Sequence, residues 1–132
     1  MNSDNDIQSI LALKTIAVVG LSPNMARPSH GVARYLLAQG YRIIPVHPGH
    51  AEILGLKAYP ALEAIPDPVD VVDVFRRPEH IIPIARAAVA VGAKALWLQL
   101  GIVNDEAVAI AEEAGLLVVQ DRCMKIEHQL RR

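Results

Sequence analysis

A regular alternation of aliphatic runs and helix-like segments constrains this sequence most strongly. Five short runs rich in Val, Ile and Leu recur along the chain, at 15–19, 42–46, 69–75, 95–100 and 116–120. Runs that are apolar at nearly every position are typical of strands buried on both faces of a parallel sheet. The alternation predicts an α/β fold: a Rossmann-like, doubly wound, mostly parallel five-stranded sheet with helices on both faces.

Helical patterns fill the intervals between the runs. The clearest begins after Asn104, a favourable N-cap, and ends at Gly115. The stretch 49–68 carries only a weak helical signal at 61–65 and predicts a partly irregular crossover. The other predicted helices run from Ser29 to Gly40, from Pro78 to Gly92 with a first turn distorted by Pro83, and over the short segments 7–13 and 124–130.

Length and charge narrow the functional classes. A chain of 132 residues predicts one domain spanning 1–132, with 1–13 as a lead-in. Thirteen Lys and Arg against fourteen Asp and Glu argue against a nucleic-acid binder. The single cysteine excludes an intrachain disulfide, the polar start is unlike a secretory signal, and no apolar run reaches membrane-spanning length. We therefore expect a cytoplasmic protein with no membrane contact.

The loop after the first predicted strand is the first candidate site. In doubly wound sheets, ligands bind outside the carboxyl ends of the strands, and a glycine turn before a helix suits a phosphate. Gly20 provides that turn, but Ser22 and Met25 occupy the second and third positions of the dinucleotide fingerprint, and no Walker motif is present. The alternative is that Gly20 only ends a strand.

The second predicted strand ends without the acidic residue that usually holds the ribose of NAD. His47, Pro48 and His50 follow it instead. Together with Arg27 and Lys57, these histidines suit a ligand with an additional phosphate, such as coenzyme A or NADP. A solvated turn is the alternative reading. A metal site is not expected, because the histidines lack an obvious third ligand.

Several segments in combination resemble the small single-domain CoA-binding proteins. The similarity covers about residues 8–130 and is carried by Val19-Gly20-Leu21-Ser22, 41–48, 71–79, 93–102 and 121–128. This family is similar to the nucleotide-binding domain of the succinyl-CoA synthetase α subunit and of ADP-forming acyl-CoA synthetases. The resemblance implies a Rossmann-like fold that binds coenzyme A across the strand ends. His47 departs from the Asn that the family usually carries there.

The resemblance also implies roles for individual residues. Backbone N–H groups of the first loop and the helix start are expected to hold the diphosphate, with Arg27 contacting phosphate. His47 and Pro48 are expected to flank the adenosine, with residues 75–77 along the adenine and ribose. The predicted cofactor-binding residues are Gly20, Leu21, Ser22, Pro23, Arg27, Ser29, His47, Pro48, Phe75, Arg76, Arg77 and Gln99.

Three features of the sequence keep more than one interpretation. Arg76 and Arg77 could be a solvated pair. Asp73, inside an apolar run, reads as a satisfied polar residue near a strand end. Cys123 either packs against the terminal helix or forms a mixed disulfide with coenzyme A.

No set of nucleophile, base and orienting residue can be assembled, so no catalytic residue is predicted. The expected function is non-catalytic binding of coenzyme A or an acyl-CoA. The alternatives are an NADP- or NAD-binding redox protein or sensor, and the CoA-binding subunit of a split acyl-CoA ligase. The partners would be a second copy of the chain or the ligase's other subunit.

Overall fold

The computed structural model describes residues 2–132 and confirms the five-stranded parallel sheet. This described range contains seven strands: β1 (Thr15–Val19), β2 (Arg42–Val46), β3 (Glu52–Ile53), β4 (Leu56–Lys57), β5 (Val71–Val74), β6 (Ala95–Leu98) and β7 (Leu117–Val119). Five α-helices accompany them: α1 (Asp4–Leu11), α2 (Pro28–Ala38), α3 (Ile81–Ala90), α4 (Asp105–Glu113) and α5 (Met124–Arg131).

The order of the main sheet is β2-β1-β5-β6-β7, and all four pairings are parallel. The chain therefore moves outward from β1 to β2, crosses back to β5, and then continues outward in the other direction. This reversal puts a topological switch point between β1 and β5, where ligands bind in open α/β sheets.

Helices cover both faces of the sheet, as predicted. Helices α1, α2 and α5 bury Ile10, Leu36 and Met124 against one face. Helices α3 and α4 bury Ala85 and Ala111 against the other face. The sheet is thus enclosed along its faces, so only its edges and strand ends remain open. Among residues 2–132, no helix is long and apolar enough to cross a membrane.

The structure refines several predicted boundaries. The stretch 49–68 contains the antiparallel β3–β4 hairpin, which was not predicted, and a short 3-10 turn at Leu62–Ala64. A 3-10 turn at Pro78–His80 precedes α3, which places Pro83 in the first turn, where a missing N–H is tolerated. The run 69–75 forms a strand only over Val71–Val74, and α4 is capped by Asn104, whose side chain accepts the N–H of Ala107.

Candidate functional site

A cleft of about 930 Å³ opens at the carboxyl ends of the parallel strands. All five strands of the main sheet contribute a following segment to it, and α2 and α5 lean over it. Ten of the predicted residues line this cleft: Gly20, Ser22, Arg27, Ser29, His47, Pro48, Phe75, Arg76, Arg77 and Gln99. The fold therefore brings these scattered segments together in one place.

Two predicted residues do not line the cleft. The Leu21 side chain is fully buried in the hydrophobic core, because its position directly after β1 turns it inward. Pro23 lies on the exposed outer part of the loop. The expected cradle of free N–H groups is also altered, since the Ser22 N–H already donates to the Ser29 hydroxyl at 3.0 Å.

Gly20 is required where it stands. Its φ of 87° lies in the left-handed region, and a Cβ there would come within 2.5 Å of the Phe75 carbonyl oxygen. The exit of β1 therefore runs directly against the exit of β5, with the Arg76 stem beside it. This close approach lets Arg76 reach the cleft beside the first loop.

Helix α2 begins at the cleft with an uncapped positive end. Arg27 is its N-cap residue and makes no side-chain capping hydrogen bond, while Pro28 occupies the first helical position. The first amides of a helix have no intrahelical partner, so this end suits an anion. Ser29 lines the cleft in that first turn.

The cleft has a cationic half, which we define as the lining contributed after β2, β1 and β5. It carries His47, Arg27, Arg76 and Arg77. Within residues 2–132, none of the three arginines forms an ion pair with a carboxylate. Their positive charge is therefore available to an anionic ligand.

His47 is held as a neutral hydrogen-bond donor in this half. Its Nδ1 accepts the Gly49 N–H at 2.9 Å, so the ring proton sits on Nε2. Burial, followed by the nearby His50 and Arg76, lowers the pKa of His47. His50 packs edge-on against the ring at 4.7 Å between centroids.

The neutral half, contributed after β6 and β7, carries no charged side chain in the cleft lining. It consists of Gln99, Leu100, Gly101, Ile102, Cys123 and Ile126. Leu100 is 65% exposed and Ile126 is 47% exposed, so both present apolar surface beside the cleft. Arg122 is adjacent in sequence, but its guanidinium faces Glu127 at 3.7 Å.

A buried acid lies beneath the neutral half. Asp73 is fully buried in β5, and its Oδ1 accepts a hydrogen bond from Gln99 Nε2 at 2.7 Å. Within residues 2–132, its Oδ2 has no hydrogen-bond partner. Burial raises the pKa of Asp73 to about 7, and the hydrogen bond from Gln99 offsets this only in part. The expectation of a satisfied polar residue is therefore wrong for one of its two oxygens.

The predicted set of cofactor-binding residues omits eight residues of the lining: Pro28, Val32, Pro78, Leu100, Gly101, Ile102, Cys123 and Ile126. Six of these, all but Val32 and Ile126, lie in the segments after the predicted strands, where the strand-end rule places ligands. Val32 and Ile126 belong to helices that fold over the cleft, and no local signal marks their inward faces. Cys123 lies in the cleft and is half-buried, and its mixed disulfide stays a prediction.

The residues present suit an organic anion better than a metal. In the part of the chain that the structure describes, no three His, Cys, Asp or Glu side chains come close enough to hold an ion. The lining offers guanidinium groups, a helix start and apolar side chains instead.

Comparison with known proteins places this arrangement in a family. The chain is 42% identical over 127 residues to the uncharacterized protein YneT of Bacillus subtilis, covering 96% of this chain and 94% of that one. A hypothetical protein from Pyrococcus horikoshii OT3 superposes with a TM-score of 0.93 at 43% identity, over 97% and 91% of the two chains.

A larger enzyme contains a related segment. Over 80 residues the chain is 34% identical to acetate–CoA ligase [ADP-forming] II of Archaeoglobus fulgidus, covering 59% of this chain but only 12% of the ligase. The family model described as CoA binding domain matches residues 14–129, and the chain therefore belongs to the CoA binding domain family.

Proposed function

We propose that the protein binds coenzyme A or an acyl-CoA in this cleft without catalysing a reaction on it. The observation that carries the proposal is the division of the lining into a cationic and a neutral half. Coenzyme A has the same division: a nucleotide head with a diphosphate and a 3′-phosphate, and an uncharged arm with two amides that ends in a thiol.

The head would lie over the ends of β2, β1 and β5. There Arg27, Arg76 and the start of α2 would meet the phosphates, and guanidinium groups suit phosphate geometry. His47 would donate from Nε2 to the ribose phosphate region. The arm would cross toward β6 and β7, where Ile102 and Ile126 would cover it.

A dinucleotide is disfavoured by the same lining. The position after β2 that would hold the ribose hydroxyls of NAD is occupied by His47, which has no carboxylate to accept them. The second nucleotide of NAD or NADP carries a ribose and a nicotinamide. It would need polar partners in the half that offers mainly apolar side chains.

The ligase similarity supports a second candidate. The 80 matched residues cover only 12% of the acetate–CoA ligase, so the chain could serve as the CoA-binding subunit of a split ligase. Purification from the source cell under low salt separates the two candidates. A large second chain that co-elutes in stoichiometric amount would favour the ligase subunit, and a homomer would favour the stand-alone module.

Thermal unfolding with a ligand series tests coenzyme A binding directly. Coenzyme A at about a hundredfold over its Kd should raise Tm by about 8 °C. Dephospho-CoA, which lacks the 3′-phosphate, should raise it less, and NAD should leave it unchanged. Equal shifts with NAD and coenzyme A would contradict the proposal.

A further inference from the structure

Asp73 lowers the stability of the fold. It lies on the central strand β5, in register with Val18 of β1 and Trp97 of β6, and is completely buried. Taking an ionised carboxylate out of water is strongly unfavourable unless its oxygens are hydrogen-bonded. Here one oxygen, Oδ2, has no hydrogen-bond partner in the described part of the chain. An aliphatic side chain would fill the same position without that cost, so packing alone does not account for Asp73.

The one hydrogen bond that Asp73 accepts comes from a residue of the cleft. Gln99 Nε2 donates to Asp73 Oδ1 at 2.7 Å, and Gln99 lines the neutral half. Above pH 7 Asp73 is ionised, and a carboxylate can only accept, so it requires the amide nitrogen of Gln99 to turn toward it. The amide carbonyl must then turn away from Asp73.

The Gln99 carbonyl is left as a free acceptor. Its oxygen has no hydrogen-bond partner in residues 2–132 and is not completely buried, and Gln99 lines the cleft. The rest of the neutral half to which Gln99 belongs offers apolar side chains and a thiol: Leu100, Ile102, Cys123 and Ile126. A polar acceptor in such surroundings favours a ligand that brings an N–H to it.

The geometry points to Asp73 as a positioning residue, which holds the Gln99 amide so that its carbonyl oxygen accepts a hydrogen bond from an amide N–H of the coenzyme A arm. This inference rests on the proposed function. The phosphates cannot supply the donor because they are ionised acceptors. The adenine amino group travels with the phosphates over the cationic half, which leaves the two amides of the arm.

A comparison of two ligands isolates this contact. Coenzyme A has three phosphates and the arm, whereas adenosine 3′,5′-bisphosphate keeps the adenine and two of the phosphates but lacks the outer phosphate and the arm. The Kd of the bisphosphate divided by the Kd of coenzyme A, measured by calorimetry above pH 7, reports what the arm and that phosphate contribute together. A substitution in the neutral half should change only the contribution of the arm. Gln99→Leu should lower this ratio by about tenfold through its effect on coenzyme A alone.

Asp73→Leu should lower the ratio by several-fold, since Gln99 is then free to turn, while Tm stays the same or rises. Asp73→Asn can still accept from Gln99 but can also donate to it, so its ratio should fall between those of the wild type and Asp73→Leu. The double variant with Leu at both positions should match Gln99→Leu, because Asp73 acts only through Gln99.

The outcomes separate the two claims. If Asp73→Leu weakens both ligands equally, if the two substitutions add independently, or if Asp73→Asn is no better than Asp73→Leu, then Asp73 does not position Gln99 and this inference is overturned. Binding of coenzyme A by the wild type would leave the proposed function standing in those cases. If the wild type binds neither ligand, the proposed function fails and this inference fails with it.

Discussion

The two halves of the cleft lie at the same end of the sheet, where the strands end, but they differ in charge. After β2, β1 and β5 the lining carries three arginines and a histidine, whereas after β6 and β7 it carries none. Parallel strands bring the loop that follows each of them to the same end of the sheet, and the residues of those loops decide what that end recognises. The near-zero net charge of the whole chain conceals this division.

The largest effect should follow from removing charge in the cationic half. Arg76→Ala should weaken coenzyme A and adenosine 3′,5′-bisphosphate alike, by roughly tenfold to a hundredfold, because a charge-assisted contact to phosphate is lost. Calorimetry at two salt concentrations measures this, and the salt dependence of Kd should become shallower. Arg86→Ala is the matched control, since Arg86 is exposed on α3 away from the cleft.

If Arg76→Ala weakened neither ligand, the assignment of the head to the cationic half would be wrong. A loss of similar size in Arg86→Ala would indicate a general effect of net charge instead of a local contact.

The neutral half should make the stability of the protein depend on pH, because the buried acid Asp73 lies beneath it. The pKa of Asp73 is about 7 in the folded protein against 3.8 for an ordinary aspartate. Between these values the folded state binds more protons than the unfolded state. The free energy of unfolding should therefore fall as pH rises from about 4 to about 7, by on the order of a few kcal/mol, and stay level above that range with respect to this group.

Urea unfolding of the wild type and Asp73→Asn across this pH range tests the prediction. The difference between the two curves removes the contribution of other groups. A pH-independent difference between them would mean that Asp73 ionises normally despite its burial.

The smallest effect should come from the apolar wall. Ile126→Ala should weaken coenzyme A by roughly threefold to fivefold and leave adenosine 3′,5′-bisphosphate unchanged, because less apolar surface covers the arm. Leu130→Ala on the same helix is the control, since Leu130 is 72% exposed and lies outside the cleft lining. Equal weakening of both ligands would place the arm elsewhere.

Much of the fold could be predicted because burial on both faces leaves a clear pattern. Strands β1 and β2 have the predicted boundaries. The sequence predicts a strand from Val69, but β5 begins at Val71. Val69 is buried outside the strand, and the Asp70 side chain accepts the N–H groups of Lys14 and Thr15. The β3–β4 hairpin was missed because its turn puts Leu54 at φ 57°, and leucine is not a turn signal.

The part of the site that directly follows the strands could be predicted from the sequence. Residues directly after strands, such as His47 and Arg76, follow from the rule for parallel sheets. Ile126 could not be found this way, because its contact with the cleft depends on how α5 folds back over the sheet. Whether both oxygens of Asp73 find hydrogen-bond partners depends on the groups that surround it in three dimensions, and the local sequence does not show them.

The first loop closes on itself before any ligand arrives. Ser22 N–H is held by the Ser29 hydroxyl, Asn24 N–H by the Ser22 hydroxyl, and Ala26 N–H by the Asn24 side chain. A segment already fixed by its own side chains has little conformational freedom left to lose on association. Each of its hydroxyls also keeps a proton to offer outward. The entropic cost of ordering this loop is therefore met when the chain folds, whereas a flexible phosphate-binding loop would incur that cost each time it bound a ligand.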